Sequence, residues 1–200
     1  MRQLLRSAVM ISVLIPSLST LLHAGVVTFD FEADITGIPT QFTDTISGLS
    51  ATFSSAPDVG GFSIQAFGTF QSLTGNFLMD MAPETLTVVF SAPLTSISMN
   101  FATSGPATLS LDAFSGGTLV GSNSASGTVP AGFAAPEGIL SFNSGTFDTV
   151  VLSASTGDFA VDNIAATDPP PAVPEPGSLL LCAGALAALS FGRLRRRPIS

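Results

Sequence analysis

Apolar and polar residues alternate along the middle of the chain with a period of two. Val27, Phe29 and Phe31 interleave with Thr28, Asp30 and Glu32, the pattern of a strand with one face buried and the other wet. The same reading extends to residues 49–54, 76–80, 85–91, 94–102, 107–114, 118–122, 138–143, 146–153 and 158–165. These runs are short and rich in Val, Thr, Phe and Ile, residues that suit a pleated, half-buried surface. Turn residues separate them at Ser91-Ala92-Pro93, Ser104-Gly105-Pro106, Ser115-Gly116-Gly117 and Ser144-Gly145. No capped stripe of 3.6-residue period interrupts the series. About ten strands at this spacing predict an all-β fold, an antiparallel β-sandwich of jelly-roll type over residues 25–168. No unit of fixed length recurs, which sets aside a solenoid.

The pattern changes at both ends. Met1-Arg2-Gln3-Leu4-Leu5-Arg6 is short and cationic, Ala8 to Ile15 is apolar, and Leu22-His23-Ala24 places a small residue before Gly25. Residues 1–24 therefore read as a secretory signal peptide, cut by signal peptidase between Ala24 and Gly25. The alternative is an uncleaved anchor. Pro16, Ser17, Ser19 and Thr20 break the apolar run too early for a comfortable span.

At the other end, residues 169–177 form a stiff proline-rich linker, and residues 178–192 carry no charge. As a helix that run covers about 22 Å at about 1.5 Å per residue. Extended from Pro176 to Leu194, with snorkelling arginines, it reaches about 28 Å against a hydrocarbon core of roughly 30 Å. Arg193, Arg195, Arg196 and Arg197 follow directly, as expected of a cytoplasmic stop-transfer signal. Residues 178–200 are thus predicted to form a single transmembrane helix with an arginine-rich cytoplasmic end. The other reading, a buried C-terminal helix of the soluble domain, leaves the arginine cluster unexplained.

Charge sharpens this division. The chain has 14 acidic and 6 basic residues, a formal net charge of −8. All six cations are arginines of the two ends, Arg2, Arg6, Arg193, Arg195, Arg196 and Arg197; there is no lysine. His23 is the only histidine, Cys182 the only cysteine, and Tyr and Trp are absent. Residues 25–177 therefore hold every carboxylate and no cation, a formal charge of 0 − 14 = −14. That excludes Ser-His-Asp and Cys-His nucleophiles, Schiff-base lysine chemistry, thiol redox chemistry and His- or Cys-ligated zinc in this section. Nucleic acid is excluded as a partner because nothing faces its phosphates. Cys182, inside the apolar run, reads as a packing or lipid-facing residue.

Val173-Pro174-Glu175-Pro176, a short Leu/Ala/Gly run and a terminal arginine cluster together resemble the PEP-CTERM sorting tail of Gram-negative bacteria, over residues 173–197. The resemblance implies that Pro174, Glu175 and Pro176 are recognised by an exosortase, a membrane cysteine peptidase. It also implies a course: the protein is held in the inner membrane facing the periplasm, then passed to the cell surface or extracellular matrix. The two prolines fix an extended backbone, a shape suited to a peptidase cleft. A similar tail sometimes carries an ice-binding label. Ice binding needs a regular threonine array, and Thr43-Asp44-Thr45 and Thr85-Leu86-Thr87 are isolated pairs in the sequence.

Residues 25–168 in turn resemble the β-sandwich modules found upstream of such tails, which are similar to carbohydrate-binding jelly rolls. That resemblance implies a structural calcium shared by acids of the first and last strands, here Asp30, Glu32 and Asp162, hard oxygen ligands of the right kind. The plainer reading, preferred on sequence alone, keeps these acids as solvent-facing strand residues. The expected function is that of a non-enzymatic exported envelope or matrix protein, associating with exopolysaccharide. Without Trp or Tyr, a glycan site would be polar or calcium-assisted. Two alternatives stay open: a carboxylate-based glycoside hydrolase, for which no acidic pair is singled out, and an adhesin or ice-binding protein.

Overall fold

The computed structural model describes residues 25–37, 41–56, 61–66, 68–80 and 85–169. The signal peptide, the Pro174-Glu175-Pro176 motif, the apolar run and the terminal arginines lie outside the described residues. Within them the strands are β1 (Val26–Phe29), β2 (Gln41–Ile46), β3 (Leu49–Ala56), β4 (Phe62–Gln65), β5 (Phe77–Asp80) and β6 (Thr85–Leu94). They continue as β7 (Ser96–Thr103), β8 (Thr108–Ser115), β9 (Thr118–Ser126), β10 (Glu137–Phe142), β11 (Phe147–Ala154) and β12 (Phe159–Thr167). The first sheet has the order β10-β7-β12-β5-β4, with β1 also lying along β12. The second runs β2-β3-β6-β11-β8-β9. Every pairing is antiparallel. The expected all-β, two-sheet architecture is the one observed.

Alternation decides what lies between the sheets. In β7, Ile97, Met99 and Phe101 point inward and are buried, while Ser98 and Asn100 stay half-exposed. Phenylalanines fill the space from both sheets. Phe42 stacks on Phe53 with centroids 4.8 Å apart, and Phe31 meets the same ring edge-on at 5.4 Å. A buried polar bridge crosses the sandwich: Ser55 of β3 donates its hydroxyl to the buried Asp80 of β5 at 3.1 Å.

Three details depart from the sequence pattern. β2 is a strand that the alternation does not reveal. Its inward face carries Asp44 between Phe42 and Ile46, and an inward charge on an edge strand discourages further pairing. β4 has only four residues and depends on its pairing with β5. Ser91-Ala92-Pro93 is no turn, for β6 runs through it to Leu94. Phe147 faces Leu94 while Thr149 faces Val89, so β6 bulges here, and a bulge accommodates a proline that cannot donate to the ladder.

The outer face of the first sheet is not bare. Leu73, Phe77, Ala102 and Ala160 form a second, smaller apolar cluster, joined by Phe70, Met79 and Ala135. Residues 68–76, between β4 and β5, fold back across this face as a strap. Its landing points make the site.

Candidate functional site

β12 pairs with β7 along one edge and with two shorter strands along the other. β5 takes residues 159–161 and β1 takes residues 164–167. Asp162 and Asn163 fall in the gap between them. Against β7, Asp162 faces Asn100 and Ala165 faces Ser98, three steps on one strand against two on the other. The extra residue is absorbed at Asn163, which has φ +53°, a left-handed conformation that Asn tolerates well. Phe31, just past β1, also sits left-handed at φ +59°. The chain thus turns out of β1 toward the gap, carrying Asp30 and Glu32 with it.

The structure fastens two of the three predicted acids, Asp162 and Glu32, to the strap, and Asp30 lies beside Glu32. Asp162 is 1% exposed; it is no solvent-facing strand residue. Its Oδ1 accepts the N–H of Asn163 at 2.6 Å, and its Oδ2 accepts the Asn163 amide at 2.9 Å and the Thr74 N–H at 3.2 Å. Glu32, exposed, accepts the Asn76 N–H at 3.2 Å. The Asn76 side chain donates in turn to the carbonyl of Phe31 at 3.0 Å. Asp30 accepts the N–H of Glu32 at 3.3 Å. Burial pushes the Asp162 carboxyl up to about 6, against the pull of the Thr74 and Asn163 N–H groups and with added repulsion from Glu32 and Asp30.

The other end of the strap is held by residues that sequence reasoning missed. Glu137, at the start of β10 and 6% exposed, accepts the N–H of Gln71 at 2.8 Å, the N–H of Ser72 at 2.7 Å and the Ser72 hydroxyl at 2.5 Å. Asn100 of β7 donates to the carbonyl of Ser72 at 3.0 Å. Burial raises the Glu137 carboxyl, but these donors outweigh it and hold the group below its ordinary value. A signal existed in composition alone. A carboxylate buried in a section without cations has only N–H, O–H or water to satisfy it. Which donors arrive depends on a contact 65 residues away.

Glu137 also fixes a second wall. Its backbone exchanges both hydrogen bonds with Thr128, each 2.9 Å. At Gly127 a Cβ would lie 2.8 Å from the Glu137 nitrogen, so only glycine lets the chain pass this close. Between the strap at Gln71 and Ser72 and the wall at Thr128 and Pro130 lies a cleft of about 330 Å3. Asn100 and Ile139, opposite each other on β7 and β10, form its floor, with Gly138 beside them. Ile139 is 68% exposed. A smaller apolar hollow of about 180 Å3 lies on the same sheet face over Phe70, Met79, Ala102 and Ala160.

For calcium, the donor chemistry and the arrangement point different ways. Asp162, Glu32 and Asp30 are hard oxygen donors that repel one another, with no cation among residues 25–177. Yet among the described residues no three His, Cys, Asp or Glu side chains group so as to hold a metal ion. Both oxygens of Asp162 and one of Glu32 already face N–H groups. As arranged, the acids fasten the strap. Gly25 is the first described residue. Ala24, Pro174, Glu175, Pro176, Arg193, Arg195, Arg196 and Arg197 lie outside the described residues.

No family model and no curated protein matches this chain. Among solved structures it is similar to a family 6 carbohydrate-binding module, at 20% identity and a TM-score of 0.39, over 58% of this chain and 87% of that one. It is also similar to the CBM22-1 xylan-binding domain of Xyn10C from Paenibacillus barcinonensis, at 12% identity and a TM-score of 0.36, over 72% and 94%. A third likeness is to the enzymatically active domain of tailspike protein 4 of bacteriophage CBA120, at 14% identity and a TM-score of 0.38. It covers 58% of this chain but spans only 19% of the tailspike chain. With TM-scores below 0.5, function is left to this chain's own residues.

Proposed function

We propose that the chain is a non-enzymatic exported protein of the bacterial envelope or extracellular matrix, sorted by its PEP-CTERM-like tail and associating with polysaccharide. The observation that carries the second half is the cleft beside Glu137. Its polar lining is amide, hydroxyl, main chain and the Glu137 carboxylate, with no cation and no aromatic ring, chemistry suited to the hydroxyls of a glycan. Residues 1–24 and 173–197 support the first half through their charge and hydropathy pattern. In this reading the apolar run holds the protein in the inner membrane until an exosortase acts at Pro174-Glu175-Pro176.

Asp162 is the observation nearest to a hydrolase, since a carboxyl near 6 suits a general acid. It lies 1% exposed beneath the strap with both oxygens bound, so we read it as an anchor. A calcium ion at the junction belongs to the same proposal on donor chemistry alone, and binding it would require Asn76, Thr74 and Asn163 to yield their contacts.

Two measurements test this. Intact mass of the protein from each cell fraction is expected to show loss of residues 1–24 and processing near Glu175. A mature inner-membrane form still bearing residues 178–200 would defeat the sorting half. Electrophoresis through a gel containing the host's exopolysaccharide is expected to retard the protein; unretarded migration would defeat the other.

A further inference from the structure

We infer that the cleft between the strap and the 128–130 wall is the glycan subsite, and that it takes neutral rather than acidic sugars. This rests on the polysaccharide reading above and deepens it. The cleft's 330 Å3 is near the low end of small-ligand sites, room for a short stretch of chain. Its walls are set by one residue: Glu137 holds Thr128 by its backbone and Gln71 and Ser72 by its carboxylate. The opening is therefore built before any ligand arrives.

Its chemistry selects the ligand class. Ile139 stands exposed on the floor and offers an aliphatic platform to the C–H face of a ring. Beside it, the Asn100 Nδ2 is committed to Ser72, which leaves Oδ1 as an acceptor for a sugar hydroxyl. Exposed Gln71 and Thr128 add an amide and a hydroxyl on opposite walls. The one charge at the cleft is the Glu137 carboxylate, with no Lys or Arg anywhere in residues 25–177 to offset it. A uronate or sulfate would meet that charge without a counter-ion, and burying an unpaired anion is costly. Nucleotides are disfavoured twice over, lacking both a phosphate partner and an aromatic platform.

The test is calorimetric titration of the protein as isolated from its host, with the ends that the cell leaves on it. The probes are neutral xylo-, gluco- and galacto-hexaoses, and oligogalacturonate of equal length, in EGTA. At least one neutral hexaose is expected to bind, with oligogalacturonate silent. Ile139→Ala and Gln71→Ala, both at exposed positions, are each expected to weaken binding by about tenfold while leaving the melting curve in place. Val89→Ala, exposed on the other sheet, is expected to change nothing. Unchanged binding in the Ile139 and Gln71 variants overturns the subsite, as does binding of oligogalacturonate alone or of no hexaose. If the exopolysaccharide gel still retards the protein in those cases, polysaccharide association stands without this cleft. If it does not, both fall.

Discussion

Glu137 and Asp162 stand on the same face of the same sheet and accept main-chain N–H groups from the same strap, yet their carboxyl groups shift in opposite directions. At Glu137 three donors lie within 2.8 Å and its shift comes from those donors and burial alone. At Asp162 burial is deeper in effect, one of the donors sits at 3.2 Å, and Glu32 and Asp30 add their fields. Burial disfavours the ionised form at both. What separates them is which side wins: at Asp162 burial outweighs the N–H donors, with Glu32 and Asp30 adding a smaller repulsion, and at Glu137 the N–H and O–H donors outweigh burial. The strap is thus held at Gln71 and Ser72 by a carboxylate that its donors keep ionised, and at Thr74 by one whose ionisation burial opposes.

Removing the favourable end is the largest break in this contrast. Glu137→Ala leaves two backbone N–H groups and a hydroxyl without their acceptor, and stability is expected to fall by about 4 kcal/mol in urea unfolding. A loss under about 1 kcal/mol would show that water replaces the carboxylate and that the strap is loosely held.

The opposing end shows itself through pH. Asp162 is raised from 3.8 to about 6 in the folded protein, so the folded state holds the proton more tightly than the unfolded state. Its contribution is fully present below pH 4 and is lost as pH rises through about 6. At about 1.4 kcal/mol per pH unit, the amplitude approaches about 3 kcal/mol. Glu137, lowered, works the other way: its contribution is present above the ordinary glutamate value of 4.5 and is lost as pH falls below it. Melting temperatures in EGTA are therefore expected to fall between pH 4 and 6.5, and Asp162→Asn is expected to flatten that slope. With calcium added, an ion at the junction would hold Asp162 ionised and abolish the fall in the unsubstituted protein. A slope unaffected by Asp162→Asn would place the titrating group elsewhere.

The smallest effect is expected beside the same junction. Gly75 has φ +72°, and a Cβ there would run into the Glu32 carboxylate. Gly75→Ala is expected to cost about 1–2 kcal/mol through the left-handed backbone and the displaced Glu32. Glu32→Ala in the same background should recover the steric part and leave only the backbone cost.

The legibility of this fold follows the range of the forces involved. Alternation is a property of neighbouring residues, so β3, β7, β8, β11 and β12 could be read directly from their apolar positions. β2 was hidden because Asp44 occupies an inward position, a choice that serves an edge strand and has no meaning without a sheet. The bulge in β6 was mistaken for a turn because Pro93 gives the same local signal in both. Among the acids, Asp30, Glu32 and Asp162 stand out because alternation assigns them to the first and last strands, although β1 ends at Phe29. Glu137 does not, though it makes the most hydrogen bonds to the strap.

Composition and local pattern alone established an all-β domain, arginine-bearing ends unlike it, and a section of carboxylates with no cation to pair them. Those are sums and short-range periods, and they survive any rearrangement of the strands. Which carboxylates would be buried, and which donors would meet them, came only with the tertiary fold. Glu137 meets Ser72 across 65 residues and Asp162 meets Thr74 across 88, and in a chain without lysine it is the folded backbone that supplies the missing positive ends.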